Sequence, residues 1–187
     1  MARAGLRRSE VAGLRRSDVH LLVDNAVLGC TVEGAHLHVE RRDNANGAWA
    51  KSRRPRMVPV DFVLVQAVDQ YVAERQQCRA GAESDFLLVN LFRSPLGAPI
   101  RPDAINELVR ALTDRAQIPR GLTPHMARHA FASNVVDAGG GLDEVQVLLG
   151  HSSPSSSQRY LHPDPARLRE AVERVSSPRM RVEQVHR

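Results

Sequence analysis

Histidine, arginine and tyrosine residues recur at short spacings between residues 122 and 162. His125 and Arg128 are three residues apart in a segment with helical character, so they share a face near the helix N-terminus, where phosphate groups bind. His151 follows the glycine that ends the next predicted helix, and Tyr160 lies nine residues beyond it. These residue types suit a site that binds a phosphate group and transfers protons.

The order and spacing of these residues resemble the tyrosine recombinase (phage integrase) family. The family pattern is His-x-x-Arg, then Leu-Gly-His, then a tyrosine nine residues after that histidine. In this chain the three parts are His125-Met126-Ala127-Arg128, Leu149-Gly150-His151 and Tyr160.

An upstream segment extends the resemblance to the first residues of the chain. The family places its first catalytic arginine in Gly-Leu-Arg-x-Ser-Glu, with a leucine and an aspartate following, and residues 5–18 match this pattern. The resemblance therefore identifies Arg7 as that arginine and Glu10 as a supporting residue. The related GLRRS copy at residues 13–17 lacks the leucine and aspartate that should follow, so Arg15 is not assigned.

Lys51 is the only lysine in a chain with 26 lysine and arginine residues. A GC-rich genome explains an excess of arginine but not the position of the remaining lysine. The family's lysine lies in a β-hairpin, five residues before an Arg-x-Val-Pro-hydrophobic strand. Here residues 56–60 form that strand motif, and Lys51 stands at the lysine position.

The resemblance implies DNA strand cleavage and rejoining through a 3′-phosphotyrosyl intermediate, with Tyr160 as the nucleophile. Permanently charged arginine forks suit the nonbridging phosphate oxygens, and a lysine can protonate the departing 5′ oxygen. His125 is expected to act in acid-base catalysis, and His151 to donate a hydrogen bond to the phosphate. No cofactor or metal is required by this scheme. The implied catalytic residues are Arg7, Lys51, His125, Arg128, His151 and Tyr160.

Two functions remain open on sequence grounds. The complete set of catalytic residue types favours a recombinase or integrase. The start of the motif at Gly5 favours a truncated, non-catalytic DNA-binding remnant. A type IB topoisomerase would share the chemistry, and a metal-dependent nuclease is disfavoured because no acidic cluster with ligand spacing is visible. Integration, excision and resolution are not distinguished.

The charge of the chain favours a polyanionic partner. The formal net charge is +5 and the isoelectric point is about 10.2, which fits binding to double-stranded DNA. Arg53, Arg54 and Arg56 are assigned to contacts with the DNA backbone, the alternative being an ordinary solvated cluster. The lack of a long apolar run argues against a membrane span, and a cytoplasmic, nucleoid-associated protein of bacterial or phage origin is expected.

Histidine and cysteine residues outside these motifs are not assigned to a metal site. Cys30 and Cys78 are far apart in sequence, which suits a reducing compartment better than a disulfide or zinc framework. His36 and His38 alternate on one strand face, but a zinc site would need more ligands nearby.

The predicted fold is α+β and mostly α, a tyrosine recombinase catalytic domain with a small antiparallel sheet near the N-terminus. Alternating apolar residues predict strands within 19–40 and a hairpin that returns through 56–60. Helical patterns cover residues 9–17, 61–79, 102–117, 123–138, 142–149 and 164–175, and residues 85–89 read as a buried strand or a helical turn.

The catalytic domain is expected to cover residues 1–175, with a flexible tail at 176–187. By resemblance, it lacks the family's usual first helices and its N-terminal DNA-binding domain. Full-length family members imply a tetramer on DNA and a monomer without it.

Overall fold

A computed structural model of the chain describes residues 1–49, 54–150 and 165–175. Within these ranges the protein is mostly helical with one small antiparallel sheet, which confirms the predicted fold class. The elements in chain order are α1 Arg8–Gly13, β1 Val19–His20, β2 His36–Val39, β3 Arg56–Pro59, α2 Phe62–Gln77, α3 Arg79–Glu83, α4 Pro102–Arg115, α5 Pro124–Asp137, α6 Leu142–Leu149 and α7 Pro165–Glu173.

The three strands follow one another in space as they do in sequence, with β2 in the centre. Val39 lies opposite Arg56 across β2 and β3, and His20 lies opposite His36 across β1 and β2. Leu37, Val39 and Val58 are buried in the main hydrophobic core.

Helices α5 and α6 cover this core and form where the sequence predicts them. Thr123 caps α5, since its hydroxyl accepts a hydrogen bond from the Met126 amide at 3.2 Å, and proline occupies the first helical position. Phe131 of α5 and Leu148 of α6 are 1% and 0% exposed and belong to the same core. Capping residues and apolar spacing therefore place both helices beside the sheet.

Two expectations about the remaining elements are corrected. Helix α1 ends at Gly13, because Leu14 turns to extended backbone and its carbonyl accepts a hydrogen bond from the Leu87 amide at 2.8 Å. Residues 85–89 form isolated bridges rather than a regular strand or helix. Within α2, the apolar Phe62 is 71% exposed, while Arg75 is buried and donates to the carbonyls of Gly81 and Leu87.

Two further results concern the histidines and the membrane question. The expectation that His36 and His38 lack nearby ligand groups is wrong, because strand pairing and the β1–β2 connection bring His20 and Cys30 beside them. No helix in the described part of the chain is long and apolar enough to cross a membrane.

Candidate active site

A cleft of about 280 Å³ opens between the N-terminal segment, α4 and the start of α5. It brings together three residues that the sequence assigns to catalysis, Arg7, His125 and Arg128. Its full lining is Met1, Arg7, Arg8, Asn106, Thr123, Pro124, His125 and Arg128. The N-terminus of α5 faces this space, so its backbone amides favour an anion there, as do the guanidinium groups of Arg7 and Arg128. The third arginine of the lining, Arg8, is paired with Asp103 at 2.8 Å.

Glu10 lies beneath the cleft and joins its arginines. Its side chain has no exposed surface, and Oε1 lies 2.9 Å from Nη1 of Arg7. Arg56 contacts both carboxylate oxygens, with Nη1–Oε1 at 3.1 Å and Nη2–Oε2 at 2.8 Å. Arg128 Nη1 is 3.8 Å from Oε2. One buried carboxylate thus orients three guanidinium groups, those of Arg7 at the N-terminus of α1, Arg56 in β3 and Arg128 in α5.

The ionisation of Glu10 follows from these contacts. Burial alone would raise the pKa of this carboxyl, but the hydrogen bonds and charges of Arg56 and Arg7 outweigh burial and leave the pKa below its ordinary value. Glu10 is therefore ionised at neutral pH. Its charge offsets only part of the positive charge of the three arginines around it.

The same three arginines donate to consecutive carbonyls at the C-terminus of α6. Arg56 Nε reaches the Leu148 carbonyl at 3.1 Å, and Arg128 Nη2 reaches the Leu149 carbonyl at 2.6 Å. Arg7 Nη2 lies 3.5 Å from the Gly150 carbonyl. Cations at this end complement the helix dipole and satisfy carbonyls that the helix itself leaves unbonded. They also fix the backbone at the residue that precedes His151.

Glycine is required at position 150 by two features of this end. Gly150 has a φ of +63°, which is a left-handed conformation that side chains disfavour. A Cβ at this position would stand 2.7 Å from Nη1 of Arg56. The glycine of the Leu-Gly-His motif therefore allows the Arg56 guanidinium to pack directly against the backbone.

Arg128 is held in place from below the cleft. Its Nη1 donates to the carbonyl of Gly5, so the Gly-Leu-Arg segment and α5 are joined directly. Burial, together with the charges of Arg7 and Arg56, lowers the pKa of Arg128 to about 10. The guanidinium consequently keeps its charge at neutral pH.

His125 is exposed at the mouth of the cleft and pairs with a histidine that the sequence reasoning did not assign. Its Nε2 lies 2.8 Å from Nε2 of His129, one helical turn further along α5, and the rings meet edge to face. One nitrogen donates and the other accepts, so the pair restricts the tautomer of His125. The i, i+4 spacing of the two histidines is the signal that could have revealed this contact.

The structure places Arg56 differently from the exposed cluster in which the sequence groups it. Its side chain is 7% exposed, so it serves the interior of the site rather than the protein surface. Arg56 and Val58 are two residues apart on β3 and share a face, and Val58 is fully buried. That alternation is the signal that could have predicted an inward side chain.

Most of the remaining assigned residues lie outside the part of the chain that the structure describes. Arg54 is exposed, and its contact with DNA stays a prediction. Lys51, Arg53, His151, Tyr160 and the predicted tail at 176–187 lie outside the described residues.

The chain is similar to recombinases over most of its length. Residues 1–167 match the sequence model of the phage integrase family. Tyrosine recombinase XerC of Mesorhizobium japonicum is 34% identical over 170 residues, which are 91% of this chain and 46% of that protein. The chain spans about half the length of the curated relatives it matches.

Solved structures agree with this similarity. XerA recombinase has a TM-score of 0.62 at 28% identity, over 90% of this chain and 53% of its own. The Tn1549 transposon integrase in complex with a circular intermediate DNA has a TM-score of 0.60 at 21% identity, over 90% of this chain and 54% of its own. The second likeness concerns the fold alone.

Proposed function

This chain belongs to the phage integrase family, and we propose that it is a site-specific recombinase that cleaves and rejoins double-stranded DNA through a 3′-phosphotyrosyl intermediate. The observation that carries the proposal is the meeting of Arg7, His125 and Arg128 at one cleft although they are distant in sequence. The scissile phosphate lies in this cleft in our proposal. Two guanidinium groups beside a histidine fit the charge and the proton transfers of phosphodiester cleavage.

Electrostatics support a phosphate ligand. Arg7, Arg56 and Arg128 surround the carboxylate of Glu10, which leaves an excess of positive charge beneath the cleft. Positive groups held in place before the reaction stabilise the charge that grows on the nonbridging oxygens in the transition state. Arg7 and Arg128 line the cleft and take this role, while Arg56 positions them through Glu10.

The reaction divides into two balanced transesterifications. The Tyr160 oxygen attacks the phosphorus and the bond from phosphorus to the 5′ oxygen breaks. His125 accepts the tyrosine proton, and Lys51 supplies a proton to the departing 5′ oxygen, which leaves as a hydroxyl. His151 donates a hydrogen bond to a nonbridging oxygen. In the second step a 5′ hydroxyl attacks the phosphotyrosine, Tyr160 leaves, and the protons return along the same routes.

Partners and assembly are part of the same proposal. Double-stranded DNA is the substrate, consistent with the Tn1549 integrase having been solved with DNA. Strand exchange between two duplexes would be carried out by a tetramer on DNA that forms from monomers, in the cytoplasm of a bacterial cell.

A covalent trap tests this function. The chain is incubated with a pool of nicked duplexes of randomised sequence, in which the short strand released by cleavage diffuses away and leaves the adduct in place. Covalent DNA on the protein is quantified, and the modified residue is identified by mass spectrometry after nuclease digestion. We expect a nucleotide on Tyr160, and complete loss of the adduct in Tyr160→Phe.

Tyr71→Phe is the matched control, because Tyr71 is the other tyrosine of the chain and its hydroxyl accepts a hydrogen bond from the Val89 amide at 2.9 Å. This variant should keep the adduct. An adduct that persists in Tyr160→Phe would overturn the assignment of the nucleophile. DNA binding without any adduct would instead support the non-catalytic DNA-binding alternative.

A further inference from the structure

Four potential metal ligands converge on one side of the sheet, and none of them belongs to the lining of the arginine-bearing cleft. They are His20, Cys30, His36 and His38, and one ligand atom from each lies within 4.8 Å of all the others. Nε2 of His36 is 3.1 Å from Nε2 of His38, and Cys30 Sγ lies 3.4 and 3.5 Å from these two nitrogens. We call these four residues the His₃Cys cluster.

The sheet itself brings the three histidines together. His36 and His38 alternate along β2 and share a face, and His20 of β1 is directly opposite His36. The connection between β1 and β2 turns at Gly29, which has a φ of +74°, and returns Cys30 to the same side. The ligands are therefore fixed by strand register and by one tight turn.

Hydrogen bonds orient the rings for metal binding. His36 Nδ1 lies 2.7 Å from the Gly34 carbonyl, so it carries the proton, and the lone pair of Nε2 faces the cluster. His20 Nε2 pairs in the same way with the Ser17 carbonyl at 3.1 Å. His20 Nδ1 is buried and has no hydrogen-bond partner among the described residues, although buried polar atoms rarely remain without one.

Protonation of His36 and His38 is disfavoured by their surroundings. Burial lowers the pKa of His36 and of His38, and neighbouring histidines lower both values further. Neutral imidazole is the form that binds metal ions, so protons compete weakly for these two rings at neutral pH.

We propose that the His₃Cys cluster binds one Zn²⁺ ion in a closed, tetrahedral, structural site. Zinc with nitrogen ligands at about 2.0–2.1 Å and sulfur at about 2.3 Å separates two nitrogens by about 3.3 Å and a nitrogen from a sulfur by about 3.6 Å. The distances from His38 Nε2 and Cys30 Sγ to their neighbours are already close to these values. Mixed imidazole and thiolate donors favour zinc over the oxygen-seeking cations.

The position of the cluster indicates what the metal does. His36 begins β2, whereas the connection to β3 leaves from the other end of the strand, where Val39 pairs with Arg56. The metal in our proposal is therefore structural and is separate from the proposed DNA chemistry. By binding Cys30 of the β1–β2 connection together with the three strand histidines, the metal ion links this connection to the sheet. Arg169 of α7 donates to the carbonyls of Glu33 and Ala35 in that same connection, at 2.8 and 3.2 Å. The metal therefore stabilises the surface on which α7 packs.

Metal content and cobalt spectroscopy test the site directly. The chain is produced without a histidine tag in zinc-supplemented medium, and the bound metal is measured by mass spectrometry after dialysis. We expect about one zinc per chain. The chelated, metal-free protein is then titrated with Co²⁺, which should give strong tetrahedral bands in the visible range and a thiolate-to-cobalt charge-transfer band in the near ultraviolet. Chelation should also lower the melting temperature.

Variants separate this site from other histidines and cysteines. Cys30→Ser should abolish the charge-transfer band and weaken zinc binding by more than about 100-fold. Loss of a ligand should cost more than loss of a residue that only hydrogen-bonds to a ligand, which lowers metal affinity by about 10- to 100-fold. Cys78→Ser should retain the band, and His129→Gln should retain the zinc, although His125 and His129 form an exposed histidine pair.

The wild-type chain alone can overturn the proposal, so the test does not depend on the folding of the variants. Absence of zinc together with no cobalt uptake at equimolar metal would identify a hydrogen-bonded histidine cluster instead. A thiolate band that survives Cys30→Ser, or zinc lost in His129→Gln, would place the metal elsewhere. None of these results depends on recombinase activity.

Discussion

Glu10 and Arg56 form a two-point ion pair beneath the cleft, with oxygen–nitrogen distances of 2.8 and 3.1 Å and no exposed surface on the glutamate side chain. The pair connects α1 to β3. The Glu10 carboxylate also contacts Arg7 and lies near Arg128, so it holds the two arginines that line the cleft. Glu10 is not part of the cleft lining, yet its contacts determine where Arg7 and Arg128 lie within the cleft.

Removing the charge of Glu10 should strongly destabilise the protein. Glu10→Gln keeps the size of the side chain but leaves buried guanidinium groups without their counter-ion. Breaking a buried ion pair from one side costs about 3–5 kcal/mol. The free energy of unfolding is measured by urea denaturation monitored by circular dichroism.

Glu107→Gln is the matched control for this substitution. Glu107 pairs with Arg93 at 3.9 Å, and both side chains are largely exposed. Exposed pairs of this kind contribute about 0–1 kcal/mol. Similar losses in the two variants would contradict the supporting role of Glu10.

The contribution of Glu10 to stability should disappear in acid. Its pKa in the folded protein is lowered by Arg56 and Arg7 against the opposing effect of burial, so the unfolded chain binds the proton first as the pH falls. The stabilisation is complete above the ordinary glutamate pKa of about 4.3 and is lost as the pH falls through the lower folded value.

The difference in unfolding free energy between wild type and Glu10→Gln isolates this effect. We expect a constant difference from about pH 5 to 7 and a smaller one at each step below that range. A difference that grows as the pH falls would mean that the folded-state pKa is raised rather than lowered.

The glycine at the end of α6 should tolerate no side chain. Gly150→Ala meets two costs, the left-handed backbone and a Cβ 2.7 Å from the Arg56 guanidinium. Gly139→Ala at the end of α5 meets only the first, because its φ is +86° and nothing lies within 4 Å of its Cβ position. The backbone term is about 1–2 kcal/mol in each.

Thermal and urea unfolding of the two alanine variants should therefore differ. We expect Gly150→Ala to be the less stable, with weaker DNA binding because Arg56 and Glu10 are displaced. Equal stability would show that Arg56 moves aside without cost and that its packing on Gly150 does not constrain the site.

Local sequence signals predict the helices of the site well, and long-range pairings account for what they miss. Thr123-Pro124 determines where α5 begins, and Gly150 determines where α6 ends. Both are capping signals, which depend only on neighbouring residues. Strand alternation with Val58 indicates the inward direction of Arg56, but burial of its charge depends on the carboxylate of Glu10 in α1, which is distant in sequence. The position of Cys30 relative to the strand histidines requires the register of β1 against β2 and the turn between them. Patterns over a few neighbouring residues predict neither the contact of Arg56 with Glu10 nor that of Cys30 with the strand histidines.

Lys51 should act as the general acid for the 5′ oxygen, a role that an arginine cannot fill because it holds its proton too firmly. On DNA that the wild type cleaves, Lys51→Ala should slow cleavage by about 10²- to 10⁴-fold, and Lys51→Arg should restore little of this rate. A substrate with sulfur in place of the bridging 5′ oxygen has a leaving group that needs no proton, so Lys51→Ala should approach the wild-type rate on it. Arg7→Ala should stay slow on the same substrate, because Arg7 acts on the nonbridging oxygens. Equal impairment of Lys51→Ala on the oxygen and sulfur substrates would exclude proton transfer by Lys51 and leave it a phosphate contact.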